Sequence, residues 1–120
     1  MNIAARLIIA IIALLHLYIL WFEMFAWEIK GPKIFADLFA KDMFAKTKAM
    51  AANQGLYNGF LAAGLIWSLF IKNHQWQTYV ATFFLCCILV AGVYGYFTVS
   101  KKILFVQVIP SIIALILVFI

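Results

Sequence analysis

Four apolar runs, each about as long as the ~20 residues needed to cross a bilayer, occupy residues 3–27, 55–71, 76–99 and 103–120. Backbone placed in hydrocarbon has to satisfy its own hydrogen bonds, so each run is expected to be a helix and no strand is expected. With 68% hydrophobic and 11% charged residues in 120, a small soluble domain could not hide this much apolar surface. The predicted fold is therefore an all-α integral membrane bundle, one transmembrane domain with spanning helices at about 3–28, 53–72, 76–99 and 103–120. The first run is longer than the ~7–15-residue core of a signal peptide and shows no convincing cleavage site, so it is expected to be retained.

The basic residues set the expected orientation, because Lys and Arg stay on the cytoplasmic side during insertion. Lys30, Lys33, Lys41, Lys46 and Lys48 fall in the first connection and Lys101 and Lys102 in the third, whereas Arg6 and Lys72 lie on the opposite side. Both termini are thus expected outside a cell membrane, with the first and third connections cytoplasmic. The first connection is the long one. It opens with Gly31-Pro32, expected to end the first helix, and continues with Phe35, Leu38, Phe39, Met43 and Met50 at mainly helical spacing between charged positions. That pattern predicts one interfacial amphipathic helix over about 33–50, resting its lysines against anionic lipid headgroups or serving as a movable lid.

Ionisable groups are costly inside a membrane, which makes Glu23 the residue most in need of a reason. Counting ~1.5 Å of rise per residue, His16 lies near the middle of the first run and Glu23 about 10 Å toward the cytoplasm. On the same scale Asn58, Tyr94 and Gln107 fall at similar depth on the other three runs, and Asn53, Gln54 and Tyr57 continue the polarity toward the cytoplasmic surface. His16, Leu20, Glu23 and Trp27 follow the i, i+4, i+7, i+11 rule and form one stripe. Gly55, Gly59 and Ala63 form a small-residue seam that allows a neighbouring helix to come close, and Gly92 and Gly95 offer the same in the third run. Together these features predict a polar cavity in the cytoplasmic half, centred on Glu23. Glu23 and His16 are its candidate proton donor and acceptor, and Asn53, Gln54, Tyr57, Asn58, Tyr94, Gln107 and Trp27 are candidate ligand contacts.

Each of these residues also has a purely structural reading. Asn and Gln often just hydrogen-bond across membrane helices, Tyr57 and Tyr94 suit packing, and Trp21, Trp27, Trp67 and Trp76 suit interfacial anchoring. His16 can bond a backbone carbonyl, and a lone imidazole is not a metal site. Cys86 and Cys87 are adjacent at mid-membrane depth and match no metal or disulfide pattern, so they are expected to be small packing residues. Pro110 removes one intrahelical bond from the last run and is expected to kink it. No metal or cofactor is expected, and the absence of a soluble domain speaks against nucleic-acid binding.

His16 with Glu23-Met24-Phe25-Ala26-Trp27, the block Asn53-Gln54-Gly55-Leu56-Tyr57-Asn58-Gly59-Phe60-Leu61-Ala62-Ala63-Gly64, and the later Ala91-Gly92 and Gln107 with Pro110 together resemble a family of small bacterial and fungal membrane proteins, domain of unknown function 1304. The resemblance spans essentially the whole chain and implies four transmembrane helices. It implies no activity. Three classes of function remain open: a membrane enzyme performing acid-base chemistry on a small lipophilic molecule, a proton-coupled exporter of the small multidrug type, and a structural or accessory membrane protein. The charge bias between the two sides and the Asn-Gln-Gly block count against the exporter.

Overall fold

A computed structural model of the chain describes residues 1–120. It is wholly helical, with six α-helices and one π-helical segment: α1 Ile3–Phe25, α2 Trp27–Ile34, α3 Met43–Lys46, α4 Lys48–Phe70, α5 His74–Thr98, and Leu104–Val108 in π geometry running into α6 Ile109–Phe119. Two helices, α1 with 23 residues and α5 with 25, are long and apolar enough to cross a membrane. Only 28% of each apolar window is buried within the molecule, so both present hydrocarbon outward, unlike the core helix of a soluble protein. α4 is equally long, but Asn53, Gln54 and Asn58 dilute its apolar character. The apolar stretch Leu104–Phe119 is shorter.

The structure departs from the sequence expectation around the first connection. α1 stops at Phe25 because Ala26 leaves helical geometry (φ −124°, ψ 10°). Gly31-Pro32 lies inside α2 instead of ending α1, and α2 closes when the Phe35 N–H donates to the Gly31 carbonyl at 2.8 Å. The single interfacial helix expected over about 33–50 is replaced by turns through 35–42, the one-turn α3 and the start of α4 at Lys48. Aromatic packing accounts for this. Phe22, Trp27, Phe35, Phe39 and Phe44 converge into one cluster, with Trp27–Phe44 centroids 5.2 Å and Phe22–Trp27 centroids 5.6 Å apart. A straight helix would have spread Phe35, Phe39 and Phe44 along its length instead. Trp27 also donates its indole N–H to Thr47 Oγ1 at 3.0 Å, and Thr47 Oγ1 donates to the Met43 carbonyl at 2.8 Å. Those two bonds secure the turn between α3 and α4.

The chain divides into two compact units, one formed by Met1–Leu14 with Leu61–Ile120 and the other by Leu15–Phe60. The core of the first is built from Ala5, Ile9, Ile12 and Ala13 of α1, Leu65 of α4, Ala81, Leu85 and Ile88 of α5, and Ala114 and Val118 of α6. Small residues set the helix spacing there. A methyl group on Gly92 would lie 2.9 Å from both Gln107 Cβ and Val108 Cγ2, and one on Gly64 would enter the Phe84 ring. Polar side chains close the helix ends: Asn2 Oδ1 accepts from the Ala5 N–H at 2.8 Å while its Nδ2 donates to the Leu117 carbonyl at 2.8 Å. Arg6 donates to the Leu69 carbonyl at 3.0 Å, and Asn73 caps α5 by accepting from the Trp76 N–H at 3.0 Å.

Immediately before Pro110, where a kink is expected, the chain takes up a π-helical stretch. There the Ile109 N–H reaches back five residues to the Leu104 carbonyl, and proline cannot supply the N–H that would continue an α pattern. Cys86 and Cys87 are free thiols.

Candidate functional site

The second unit contains the one close pairing among the polar residues singled out by spacing. Glu23 on α1 is 8% exposed and Asn58 on α4 is 9% exposed. Asn58 Nδ2 donates to Glu23 Oε1 at 3.0 Å and to the backbone carbonyl of Gln54, also at 3.0 Å. Two glycines make this proximity possible. A methyl on Gly55 would lie 2.9 Å from Met24 Cγ, 3.0 Å from Glu23 Cβ and 3.1 Å from the Leu20 carbonyl oxygen, and one on Gly59 would collide with the end of the Leu20 side chain. The seam read from Gly55 and Gly59 is thus where α4 meets the C-terminal part of α1, and it puts an amide one hydrogen bond from a buried carboxyl.

The remaining candidates are arranged differently. His16 is fully buried and shares a helix face with Glu23, but the two stand seven residues apart on one helix, about 10 Å of rise. Proton transfer between them would need an intermediary. Asn53 is exposed and donates to the Ala49 carbonyl of its own helix at 3.0 Å. Gln54 is also exposed, and its backbone carbonyl is the part that meets Asn58. Tyr57 is 66% exposed and packs edge-on against Phe60. Trp27 leaves the stripe of His16, Leu20 and Glu23, because the helix breaks at Ala26 and its ring joins the aromatic cluster. Tyr94 and Gln107 belong to the first unit. There Tyr94 is 72% exposed, while the Gln107 carbonyl accepts from Ser111 Oγ at 2.6 Å.

The depression in the second unit does not surround Glu23. It lies one turn further along, with a volume of about 250 Å³, between Met24, Phe25, Trp27, Glu28, Ile29 and Lys48. Glu28 and Lys48 form an ion pair across 2.9 Å, and Asp42 and Lys46 form another at 2.9 Å. Lys30 Nζ stands 4.8 Å over the Trp21 ring. Sequence reasoning missed the Glu28–Lys48 pairing, since twenty residues and two turns separate the partners and no spacing rule connects them. In the first unit an open groove of about 600 Å³ runs along α5 past Phe83, Cys86, Cys87, Val90, Ala91 and Tyr94. No three His, Cys, Asp or Glu side chains converge in a way that could hold a metal ion.

Comparison with known proteins adds a family and no chemistry. The family described as a protein of unknown function, DUF1304, matches residues 10–119. The chain is 29% identical over 117 residues to the uncharacterized protein YpaA of Lactococcus lactis subsp. lactis (strain IL1403), covering 97% of each chain. No solved structure matches it. With nearly its whole length matched, the chain belongs to the DUF1304 family of proteins of unknown function.

Proposed function

We propose that this is a multi-pass protein of the cell membrane in which the buried Glu23–Asn58 pair recognises the polar group of a small lipophilic molecule. The observation carrying this reading is the Asn58 Nδ2 to Glu23 Oε1 hydrogen bond of 3.0 Å between two buried side chains. A carboxyl within an apolar helix is a functional candidate by default, and one supported by a single amide donor keeps lone pairs with which to accept or pass a proton. In this reading α4 and the Leu104–Phe119 stretch cross the membrane alongside α1 and α5. Both termini lie outside, and the lysine-rich connections lie in the cytoplasm.

A second reading has its own observation. Asn58 is already shared between Glu23 and Gln54, and the depression lies beside Glu28 instead of Glu23. This favours a polar clamp holding α1 against α4, as expected of a structural protein.

Glu23→Gln separates the two readings, because glutamine can still accept from Asn58 but carries no acidic proton. The test is to purify wild type and variant from native membranes and identify co-purifying lipophilic molecules by mass spectrometry. A defined molecule held by wild type and lost or chemically altered in the variant is the expected result. Equal, nonspecific lipid in both would leave the clamp as the function of the pair.

A further inference from the structure

The depression beside α2 is lined by both charged and apolar side chains. Glu28 Oε1 and Lys48 Nζ face each other at 2.9 Å. Phe25 and Ile29, 69% and 72% exposed, supply an apolar wall where α1 ends. Trp27 adds only ring surface, because its N–H is committed to Thr47. Trp21, 42% exposed under the Lys30 ammonium, adds the aromatic and basic residues found where a membrane span meets water.

The charge arrangement selects the chemistry of an occupant. The side chains of Lys48 and Glu28 are 66% and 44% exposed, so their pairing is weak and opens readily. A lone anion arriving at Lys48 meets repulsion from Glu28, and a lone cation arriving at Glu28 meets repulsion from Lys48. A molecule carrying an ammonium and a phosphate a few bonds apart satisfies both side chains and leaves no charge unpaired. The apolar wall requires that molecule to carry hydrocarbon as well. At about 250 Å³ the depression is smaller than the roughly 300–1,000 Å³ of a pocket that engulfs a whole drug-sized ligand, and it suits a headgroup whose chains remain outside. We propose that this depression binds the headgroup of an amino-phospholipid, with the ammonium at Glu28, the phosphate at Lys48 and the acyl chains along Phe25 and Ile29. The proposal rests on the membrane-spanning reading of α1 and is independent of any role for Glu23.

The full chain, reconstituted in nanodiscs of phosphatidylethanolamine and phosphatidylglycerol in equal parts, provides the test, with retained lipid counted by native mass spectrometry. Wild type is expected to retain phosphatidylethanolamine over phosphatidylglycerol by about fivefold, the effect of one interfacial charge. Lys48→Gln, which removes the partner of the phosphate that both lipids carry, is expected to lower retention of both and keep the preference, whereas Glu28→Gln is expected to abolish it. The double exchange Glu28→Lys with Lys48→Glu keeps an ion pair but reverses it against the headgroup, so it too is expected to lose the preference while retaining helical content. Free phosphoethanolamine is expected to displace nothing.

Equal retention of both lipids by wild type, an unchanged preference in Glu28→Gln, or full retention by the reversed pair would overturn the proposal. Displacement by free phosphoethanolamine as effective as by the lipid would also overturn it, reassigning the site to a soluble zwitterion. Alkaline washing of membranes is run in parallel: release of wild type from the membrane overturns the spanning reading, whereas retention without lipid preference overturns only the headgroup site.

Discussion

Replacing Asn58 with leucine is expected to destabilise the folded chain by about 1–3 kcal/mol, the cost of leaving a buried polar group without its partner. Asn58 Nδ2 reaches Glu23 Oε1 at 3.0 Å, and both residues are almost fully enclosed, so water cannot replace the lost bond without opening the contact between α1 and α4. The asymmetry between breaking a pair and removing it predicts more. Glu23→Leu combined with Asn58→Leu should recover most of the loss, since two apolar side chains leave nothing unsatisfied. Unfolding in detergent, followed for wild type, both single variants and the double variant, measures the coupling directly. Strict additivity of the two single effects would mean that the hydrogen bond contributes nothing.

Gly55→Val should cost a similar amount, about 1–3 kcal/mol, as overpacking. A Cβ at Gly55 meets the Leu20 carbonyl oxygen at 3.1 Å and Glu23 Cβ at 3.0 Å, and neither atom can swing aside because both are fixed to the α1 backbone. Valine adds two branches with little rotamer freedom in a helix. Gly59→Ala is the informative comparison. There the added methyl meets only the end of the half-buried Leu20 side chain, which can change rotamer, and alanine favours the helix over glycine by about 1 kcal/mol. That variant should be neutral or slightly stabilising in the same unfolding measurement. Equal destabilisation at both glycines would show that the close approach is not governed by backbone at Gly55.

Much of the helical architecture could be read from the chain alone. Long apolar runs permit little except helix, so the observed ends of α1 and α5 fall within a few residues of those expected. The contact of Glu23 with Asn58 was legible in the same way, because rise per residue gives depth and the small-residue seam gives facing. Depth alone carried less. Tyr94 and Gln107 match Glu23 only by counting residues, and they belong to a different compact unit. Asn53, Gln54 and Tyr57 stand in the right stretch of α4, yet their side chains are exposed.

The segment 33–50 defeated periodicity because its aromatic residues satisfy a helical pattern loosely while packing better as a cluster around Trp27. Trp27 could not be placed for a related reason: nothing in the sequence marks Ala26 as the residue where the helix breaks. The Glu28–Lys48 pair depends on the turns that follow from that break, so it became visible only once the chain was folded.

The proposed topology, in which the chain crosses the membrane with its lysine-rich connections inside, is tested most directly by labelling of intact cells. In a background with Cys86→Ala and Cys87→Ala, single cysteines are introduced by Ala40→Cys, His74→Cys and Ser100→Cys and exposed to a membrane-impermeant maleimide. The account predicts that His74→Cys is labelled in intact cells, and that Ala40→Cys and Ser100→Cys react only after permeabilisation. Labelling of Ala40→Cys and His74→Cys from the same side would contradict it, because α4 would then not cross the membrane.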